Sequence, residues 1–260
     1  MANPRRQRQK ALRRAKLARL EKARRRRRYL QRGGLGAAVI IVVVGLLYVF
    51  NRHPGTTATP AKHATTTSAG CPAANGSSPR RTSFTQAPPL CINPHRTYVA
   101  TVRTDVGTFR ITLDKQDPRV VNDFVYLARY HYYRGLTFHR VIPGFVVQGG
   151  DLNPPTRSHP NPSGPQTPGF TVPGKPPARN SAYQVGTVAM AKTASERPGT
   201  AGAQFFVVLS KKGAQALGTD YAILGQVTSG MKVVDKIAAG GSASGYPRVT
   251  HRMLSVTISP

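Results

Sequence analysis

The chain has 260 residues, enough for one or two domains, and carries 38 Lys and Arg against 9 Asp and Glu, a formal net charge of +29. This basic excess favours anionic surroundings, either nucleic acid or acidic phospholipid. Two cysteines and seven histidines without metal-ligand spacing argue against a zinc site. Neither a P-loop nor a G-x-S-x-G nucleophile elbow occurs, which excludes two common kinds of catalytic site.

Residues 1–32 are predicted to form a cytoplasmic polybasic tail, with 15 Lys and Arg against a single acidic residue. One interpretation is a tail that binds anionic membrane lipids through residues 5–32. The other is an arm that binds nucleic acid or the ribosome. An adjacent hydrophobic run favours the lipids, and Tyr29 is the only aromatic residue available to stack on bases.

Residues 33–50 are predicted to form a single transmembrane helix. The run contains no charged residue, and eighteen helical residues span roughly 27 Å, close to the hydrocarbon thickness of a bilayer. Arg32 and Arg52 flank it and can reach the headgroups. The basic flank predicts a cytoplasmic N-terminus and an extracytoplasmic remainder. A cleaved secretory signal is the alternative, although the basic region is long and no clean A-x-A site follows.

Residues 51–94 are rich in Thr, Pro, Ala and Ser, without apolar periodicity, and are predicted to be a disordered tether. The only two cysteines, Cys71 and Cys91, lie in this segment. Outside the cytoplasm such a pair can form a disulfide, which would close a loop at the entrance of the next domain. Two unpaired thiols are the alternative, and the bridge is favoured because exposed thiols are reactive in an oxidising compartment.

Residues 95–260 are predicted to form a globular domain that begins with a β-hairpin. Apolar and polar residues alternate over 100–102 and 109–113, and the turn lies at 105–107. Asp117 and Pro118 then predict a helix start, as N-cap and first-turn proline. The apolar residues of this helix recur every three or four positions: Val120, Val121, Phe124, Leu127 and Ala128.

The rest of the domain predicts more strands and one more helix. Besides the run described next, strands are predicted over 187–190, 205–209, 222–227 and 254–258, and a short helix over 231–237. The Pro-, Gly- and Ser-rich segment 153–175 is predicted to be an exposed loop. Several strands with two helices indicate a mainly β fold, an antiparallel sheet or barrel.

Two ordered motifs carry the strongest functional signal. Residues 138–151 have the sequence FHRVIPGFVVQGGD, and GTVAMA at 186–191 is followed by GAQFF at 202–206. Together they resemble the cyclophilins, the peptidyl-prolyl cis/trans isomerases, over about 98–258. The resemblance implies an eight-stranded antiparallel barrel capped by two helices, with proline-containing polypeptides as substrates and no cofactor or metal.

The resemblance also implies roles for individual residues. Arg140, the arginine of the FHR triplet, matches the catalytic donor of the family, and Gln148 matches the residue that positions the substrate and this arginine. The substrate-binding positions are matched by Phe145, Val146, Gln148, Ala191, Gln204, Phe206, Leu217 and Tyr221. His139 is predicted to be a structural residue, and Phe138 and Phe205 are predicted to lie in the core.

The chain departs from many cyclophilins at the edge of this pocket. Ala216 stands where they have a tryptophan, and Tyr221 where they have a histidine. Val146 replaces a methionine and Lys192 an asparagine. These changes are expected to alter pocket size and ligand preference more than the arginine donor. The leading hypothesis is a membrane-anchored prolyl isomerase acting outside the cytoplasm, and the alternative is a module of the same fold that binds proline peptides without catalysis.

Overall fold

A computed structural model describes residues 70–156, 158–159 and 167–260. The predicted tail over 1–32 and the predicted span over 33–50 lie outside these residues. In the described part of the chain, no helix is both long enough and apolar enough to cross a membrane. The membrane anchor therefore stays a prediction.

The strands of the described residues are β1 (Val99–Thr104), β2 (Gly107–Leu113), β3 (Arg140–Ile142), β4 (Val146–Gly149), β5 (Val172–Pro173), β6 (Thr187–Met190), β7 (Thr200–Ala201), β8 (Phe205–Val208), β9 (Ile223–Ser229) and β10 (Met253–Ser259). Eight of them form one antiparallel sheet in the order β10-β1-β2-β9-β6-β8-β4-β3, and β5 pairs with β7 in a small second sheet. The mainly β, eight-stranded antiparallel prediction is thus confirmed.

The predicted hairpin is β1 and β2, which pair from Val99 opposite Thr112 to Thr104 opposite Gly107. Its alternation has the expected effect, because every second residue is buried in the core. The other face of the hairpin is polar and largely exposed to solvent. The buried residues are Ala100, Val102, Phe109, Ile111 and Leu113.

The two ends of the eight-stranded order approach each other. Thr137, just before β3, forms an isolated bridge with Arg252, just before β10. Around it, the backbone N–H of Phe138 donates to the carbonyl of His251 at 2.9 Å, and the N–H of Met253 donates to the carbonyl of Leu136 at 2.8 Å. These bonds curl the sheet toward a barrel whose interior holds the main hydrophobic core.

Three α-helices accompany the sheet in the described residues: α1 (Pro118–Arg129), α2 (Lys211–Ala216) and α3 (Met231–Ala239). The predicted helices are α1 and α3, and the side chain of Asp117 accepts from the N–H of Val120, as an N-cap should. Both predicted helices are therefore present, and α2 is an additional helix that was not predicted. Its six residues are too few to show helical periodicity, and the cap by Ser210, whose Oγ accepts from the N–H of Gly213 at 2.9 Å, starts it.

Residues 70–94, which we call the strap, pack against α1, so the predicted disordered tether is wrong for this part of 51–94. The ring of Phe84 is 5 % exposed and lies 5.2 Å from that of Tyr126. It also contacts Phe170 at 5.9 Å, which anchors the end of the segment predicted as an exposed loop. Composition alone did not predict this packing, since a single aromatic residue in a Pro- and Ser-rich segment provides the contact.

The strap also bonds to the outer side of α1. The Oδ1 of Asn122 accepts from the N–H of Cys91 at 2.7 Å, and its Nδ2 donates to the carbonyl of Pro89 at 2.9 Å. As a result, all nine residues 120–128 of α1 are buried, and the helix has no broad solvent face. Its amphipathic pattern marks the side that faces the sheet, and the strap covers the other side.

Cys71 and Cys91 are joined by a disulfide that closes a loop of 20 residues within the strap. We expect replacement of both cysteines by serine to lower the free energy of unfolding by about 2 kcal/mol, the lower end for a native bridge, because Phe84 and Asn122 still hold the strap. Thermal unfolding of the full-length chain, with and without reductant, measures this. The serine variant should not respond to reductant, and a wild-type melting temperature in that variant would contradict a stabilising bridge.

Candidate active site

A tight hairpin places the arginine of the first motif. Pro143 and Gly144 occupy the middle of a turn in which the N–H of Phe145 donates to the carbonyl of Ile142 at 3.0 Å. Gly144 has φ +72°, so this is a type II turn, which favours proline and glycine at these positions. The turn sets the register of β3 and β4, in which Arg140 lies directly opposite Gln148.

The core residues and the site residues lie on opposite faces of the sheet. Gln148 of β4 lies opposite Phe206 of β8, and Phe206 lies opposite Ala189 of β6. Together with Arg140 these residues form one row across four neighbouring strands, on the outer face. The intervening residues point into the main core: Val141, Val147, Val188, Phe205 and Val207. Phe138 also belongs to that core, as predicted together with Phe205.

A second hydrophobic cluster lies on the outer face beside this row. Its buried members are Val146, Tyr183, Ala189, Phe206, Val208, Ala214 and Leu217, and its partly buried members are Phe145, Ala191, Tyr221 and Ile223. The short helix α2 contributes Ala214 and ends immediately before Leu217, which is 6 % exposed. The rings of Phe206 and Tyr221 meet edge to face at 5.2 Å. Together these side chains form an apolar patch on the outer face, in which Phe145, Ala191 and Tyr221 are only partly buried.

Four polar side chains form a continuous hydrogen-bonded chain along the other edge of the cluster. Nη1 of Arg140 donates to Oε1 of Gln148 at 3.2 Å, and Nε2 of Gln148 donates to Oε1 of Gln204 at 2.9 Å. Nε2 of Gln204 in turn donates to Oδ2 of Asp151 at 2.9 Å. Gly150, which lies between Gln148 and Asp151 in sequence, has φ +97° and approaches the backbone of Ala203 so closely that a Cβ would overlap its carbonyl oxygen.

Arg140 is 8 % exposed and packs over the ring of Phe145, with its Cζ 5.7 Å from the ring centroid. Burial lowers the pKa of Arg140 to about 10, and Tyr221 acts in the opposite direction, so the guanidinium stays charged at neutral pH. Its Nη2 is buried and has no hydrogen-bond partner among the described residues. A charged donor with an unused N–H thus lies at the rim of an apolar cluster.

His139 is almost completely buried next to this chain. Burial and the neighbouring Arg140 lower its pKa to about 4, against hydrogen bonds with Thr137 and Gln204. The imidazole is therefore neutral at pH 7. A buried, neutral histidine behind the site agrees with a structural role.

The structure brings every sequence-predicted site residue into one place. Arg140, Gln148 and Gln204 belong to the polar chain, and the six others, Phe145, Val146, Ala191, Phe206, Leu217 and Tyr221, belong to the apolar cluster. Lys192 lies at the same edge, with its Nζ 5.9 Å from the centroid of Tyr221.

Two residues of the site had no predicted role. Asp151 directly follows the paired glycines of the first motif. Its place in the sequence indicated that it lies near the site but gave no role for it. Tyr183 follows a 3₁₀ turn at Asn180–Ala182, and its hydroxyl donates to the carbonyl of Tyr221 at 2.7 Å. Nothing in the local sequence of Tyr183 indicated this contact, which depends on tertiary packing.

Comparison with known proteins gives the family. The family model described as cyclophilin type peptidyl-prolyl cis-trans isomerase matches residues 99–258, more than half of the chain. The chain belongs to the cyclophilins. It is accordingly a peptidyl-prolyl cis/trans isomerase by enzyme class.

Individual cyclophilins agree with this assignment. Peptidyl-prolyl cis-trans isomerase B of Escherichia coli K12 is 34% identical over 174 residues, covering 62% of this chain and 99% of that protein. A peptidyl-prolyl cis-trans isomerase of Helicobacter pylori is 33% identical over 148 residues, covering 56% of this chain and 83% of that protein. The crystal structure of a Cryptosporidium parvum cyclophilin superposes with a TM-score of 0.52 at 23% identity, covering 64% of this chain and 99% of that one, which supports the fold.

Proposed function

We propose that this cyclophilin accelerates the rotation of X-Pro bonds in polypeptides that fold outside the cytoplasm, with Arg140 as the catalytic residue. The observation that carries the proposal is the position of Arg140. Its guanidinium is charged, is held by Gln148 and Phe145, and keeps the N–H donors of its buried Nη2 unused beside the apolar cluster.

The chemistry of the bond explains why such a donor suffices. Rotation about an amide has a barrier of about 18–20 kcal/mol because resonance must be broken. In the twisted state the proline nitrogen becomes pyramidal and regains a lone pair, which can accept a hydrogen bond. The planar states offer no such acceptor. A donor aimed at that nitrogen therefore binds the twisted state more tightly than either ground state, and this difference lowers the barrier.

The apolar cluster supplies the second requirement, a dry site for the proline ring. Phe206 and Leu217 are 3 % and 6 % exposed and form its floor, and the half-buried ring of Phe145 lies at its edge under the arginine. A ring bound there excludes water from Arg140, which strengthens the developing hydrogen bond. Gln148 and Gln204 remain on the polar side, where they can bind the peptide backbone on either side of the proline.

The extracytoplasmic location rests on two separate features. The uncharged run over 33–50, with a basic flank over 1–32, is typical of a signal anchor with a cytoplasmic N-terminus. The disulfide between Cys71 and Cys91 supports the same location, since disulfides persist in oxidising compartments and cytoplasmic thiols are kept reduced. In this arrangement residues 5–32 bind anionic lipids on the inner leaflet, and each basic residue near the surface contributes about 1 kcal/mol.

Protease protection tests this topology. Protease added to spheroplasts that express the full-length chain should remove the domain of residues 95–260 and spare an epitope tag at the N-terminus. Detergent lysis before the protease provides the control, because it exposes the tag. Recovery of a soluble mature protein that starts near Thr59 would instead show a cleaved signal, and protection of the domain would place it in the cytoplasm.

A further inference from the structure

The hydrogen-bonded chain behind Arg140 has a direction, and its two ends determine that direction. A guanidinium can only donate hydrogen bonds, and an ionised carboxylate can only accept them. Two glutamine amides connect Arg140 to Asp151. Only one orientation of both amides satisfies every link, with each oxygen toward Arg140 and each NH₂ group toward Asp151.

We infer that Asp151 is a positioning residue for the isomerase reaction, whose carboxylate orients Gln204 and Gln148 so that Gln148 presents an acceptor to Arg140. The inference rests on the proposed catalytic role of Arg140 and extends it to a residue that does not line the apolar cluster. Asp151 is 2 % exposed, and its carboxylate accepts hydrogen bonds from Gln204 and from the backbone N–H of Asn153 in its own turn.

Protonation of Asp151 would reverse the orientation of the two glutamine amides. Its Oδ1 accepts from the N–H of Asn153 at 2.9 Å, so a proton is placed on Oδ2, the oxygen that faces Gln204. Gln204 then has to turn its own oxygen toward Asp151, and Gln148 has to follow. That rotation brings the NH₂ group of Gln148 against Nη1 of Arg140, where two donors meet and the guanidinium loses its acceptor.

The carboxyl group is also suited to change its protonation state near neutral pH. Burial raises the pKa of Asp151 to about 7, and the hydrogen bond from Asn153 acts in the opposite direction. Above that pKa the carboxyl group is ionised, and the amides of Gln204 and Gln148 have the orientation in which Gln148 accepts from Arg140. Below it the group is neutral, so isomerase activity should rise as the pH rises through about 7.

Other titratable groups pack around Asp151. Tyr132 interacts with it electrostatically, and burial raises the pKa of that tyrosine. His139 of the segment before β3 bonds to Gln204, with a pKa of about 4, below the relevant range. Asp123 of α1 is completely buried and faces Tyr132 and Tyr133, and burial raises its pKa as well. Because Asp123 is a second buried carboxyl group with a raised pKa, its titration could also produce a change of activity with pH. Replacement of Asp123 is therefore the matched control.

The test compares Asp151→Asn with Asp123→Asn in the full-length chain. The substrate is a blocked proline peptide without ionisable side chains, and kcat/KM is measured from pH 5.5 to 8.5. For the wild-type chain we expect a rise centred near pH 7. Asp151→Asn should lose this step and show about tenfold lower kcat/KM at pH 8, because displacement of a positioned group commonly costs up to a hundredfold. Asp123→Asn should keep both the step and the rate.

A second measurement does not depend on the folding of a variant. The side-chain NH₂ signals of Gln148 and Gln204 in ¹⁵N-labelled wild-type chain should shift together with a midpoint near pH 7. An unchanged pH step in folded Asp151→Asn, or amide signals that do not respond between pH 6 and 8, would overturn the role of Asp151. Absence of isomerase activity at every pH would contradict the proposed function instead. The amide signals would still show whether Gln148 and Gln204 change orientation when Asp151 is protonated.

Discussion

Replacement of Arg140 by alanine should lower kcat/KM for proline peptides about a hundredfold while the domain remains folded. Removal of one preorganised donor to a transition state commonly costs ~3 kcal/mol, and here the donor is needed only in the twisted state. The barrel core does not depend on this side chain, because Arg140 projects from the outer face of β3 while Val141 projects inward. An assay of X-Pro isomerisation with the full-length variant measures the loss.

Two further variants make this result specific. Arg110→Ala removes an exposed arginine from β2, away from the site, and should leave the rate unchanged, which controls for the loss of one positive charge. Arg140→Lys keeps the positive charge but lacks the planar guanidinium. That group can donate to Gln148 through one nitrogen while another nitrogen stays available for the substrate. Arg140→Lys should recover only a small part of the activity. Near-normal turnover by folded Arg140→Ala would refute the assignment. A wild-type chain that binds proline peptides without catalysis would favour the alternative of a binding module.

Much of the fold could be predicted because its strands obey a simple period. The alternation in β1 and β2 predicted a hairpin with one buried face, and the structure buries every second residue there. The same alternation explains why the pocket residues and the core residues lie on opposite faces of the strands, although the site residues were not predicted from it. In β8 both faces are apolar, one turned to the core and the other to the pocket, and β4 adds Val146 to the pocket face beside Gln148, so periodicity alone could not separate the two faces. Only the resemblance to cyclophilins selected Val146 and Phe206 as pocket residues.

The features that the sequence did not predict depend on contacts between distant segments. The strap is rich in Pro and Ser, as disordered segments are, yet Phe84 and a hydrogen bond to Asn122 attach it to α1, and one disulfide closes a loop within it. Asp151 has no local feature that indicates its role, which arises because β4 and β8 bring Gln148 and Gln204 together. A hydrogen-bonded chain of this kind is determined by register across strands, and register is a property of the folded sheet.

The edge of the pocket supports a prediction about cyclosporin, the cyclic peptide that binds this family's pocket. Ala216 is the exposed last residue of α2, and its neighbour Leu217 is buried among the pocket residues. The resemblance to the cyclophilins places Ala216 where many of them have a tryptophan. In those members the indole N–H donates a hydrogen bond to the drug, and its rings cover part of the macrocycle. Ala216 can do neither.

We therefore expect cyclosporin to bind this chain roughly thirty- to two-hundredfold more weakly than it binds members with the tryptophan. The lost hydrogen bond accounts for ~1 kcal/mol and the lost aromatic burial for ~1–2 kcal/mol, at about 1.4 kcal/mol per decade. Turnover of small peptides should differ less, because the proline ring occupies the inner pocket at Phe145, Phe206 and Leu217 rather than its edge.

Titration of the full-length chain with cyclosporin, beside Ala216→Trp and Gln215→Trp, decides between the explanations. Both positions are exposed near the end of α2, so either variant adds an indole to the same helix, but only position 216 adjoins the pocket residue Leu217. Ala216→Trp should recover most of the affinity, and Gln215→Trp should recover none, which separates a specific contact from general hydrophobicity. Tight inhibition of the native chain would mean that another residue, for which the partly buried Tyr221 is a candidate, covers the macrocycle. An equal gain in both variants would show that the edge of this pocket does not recognise the drug through position 216.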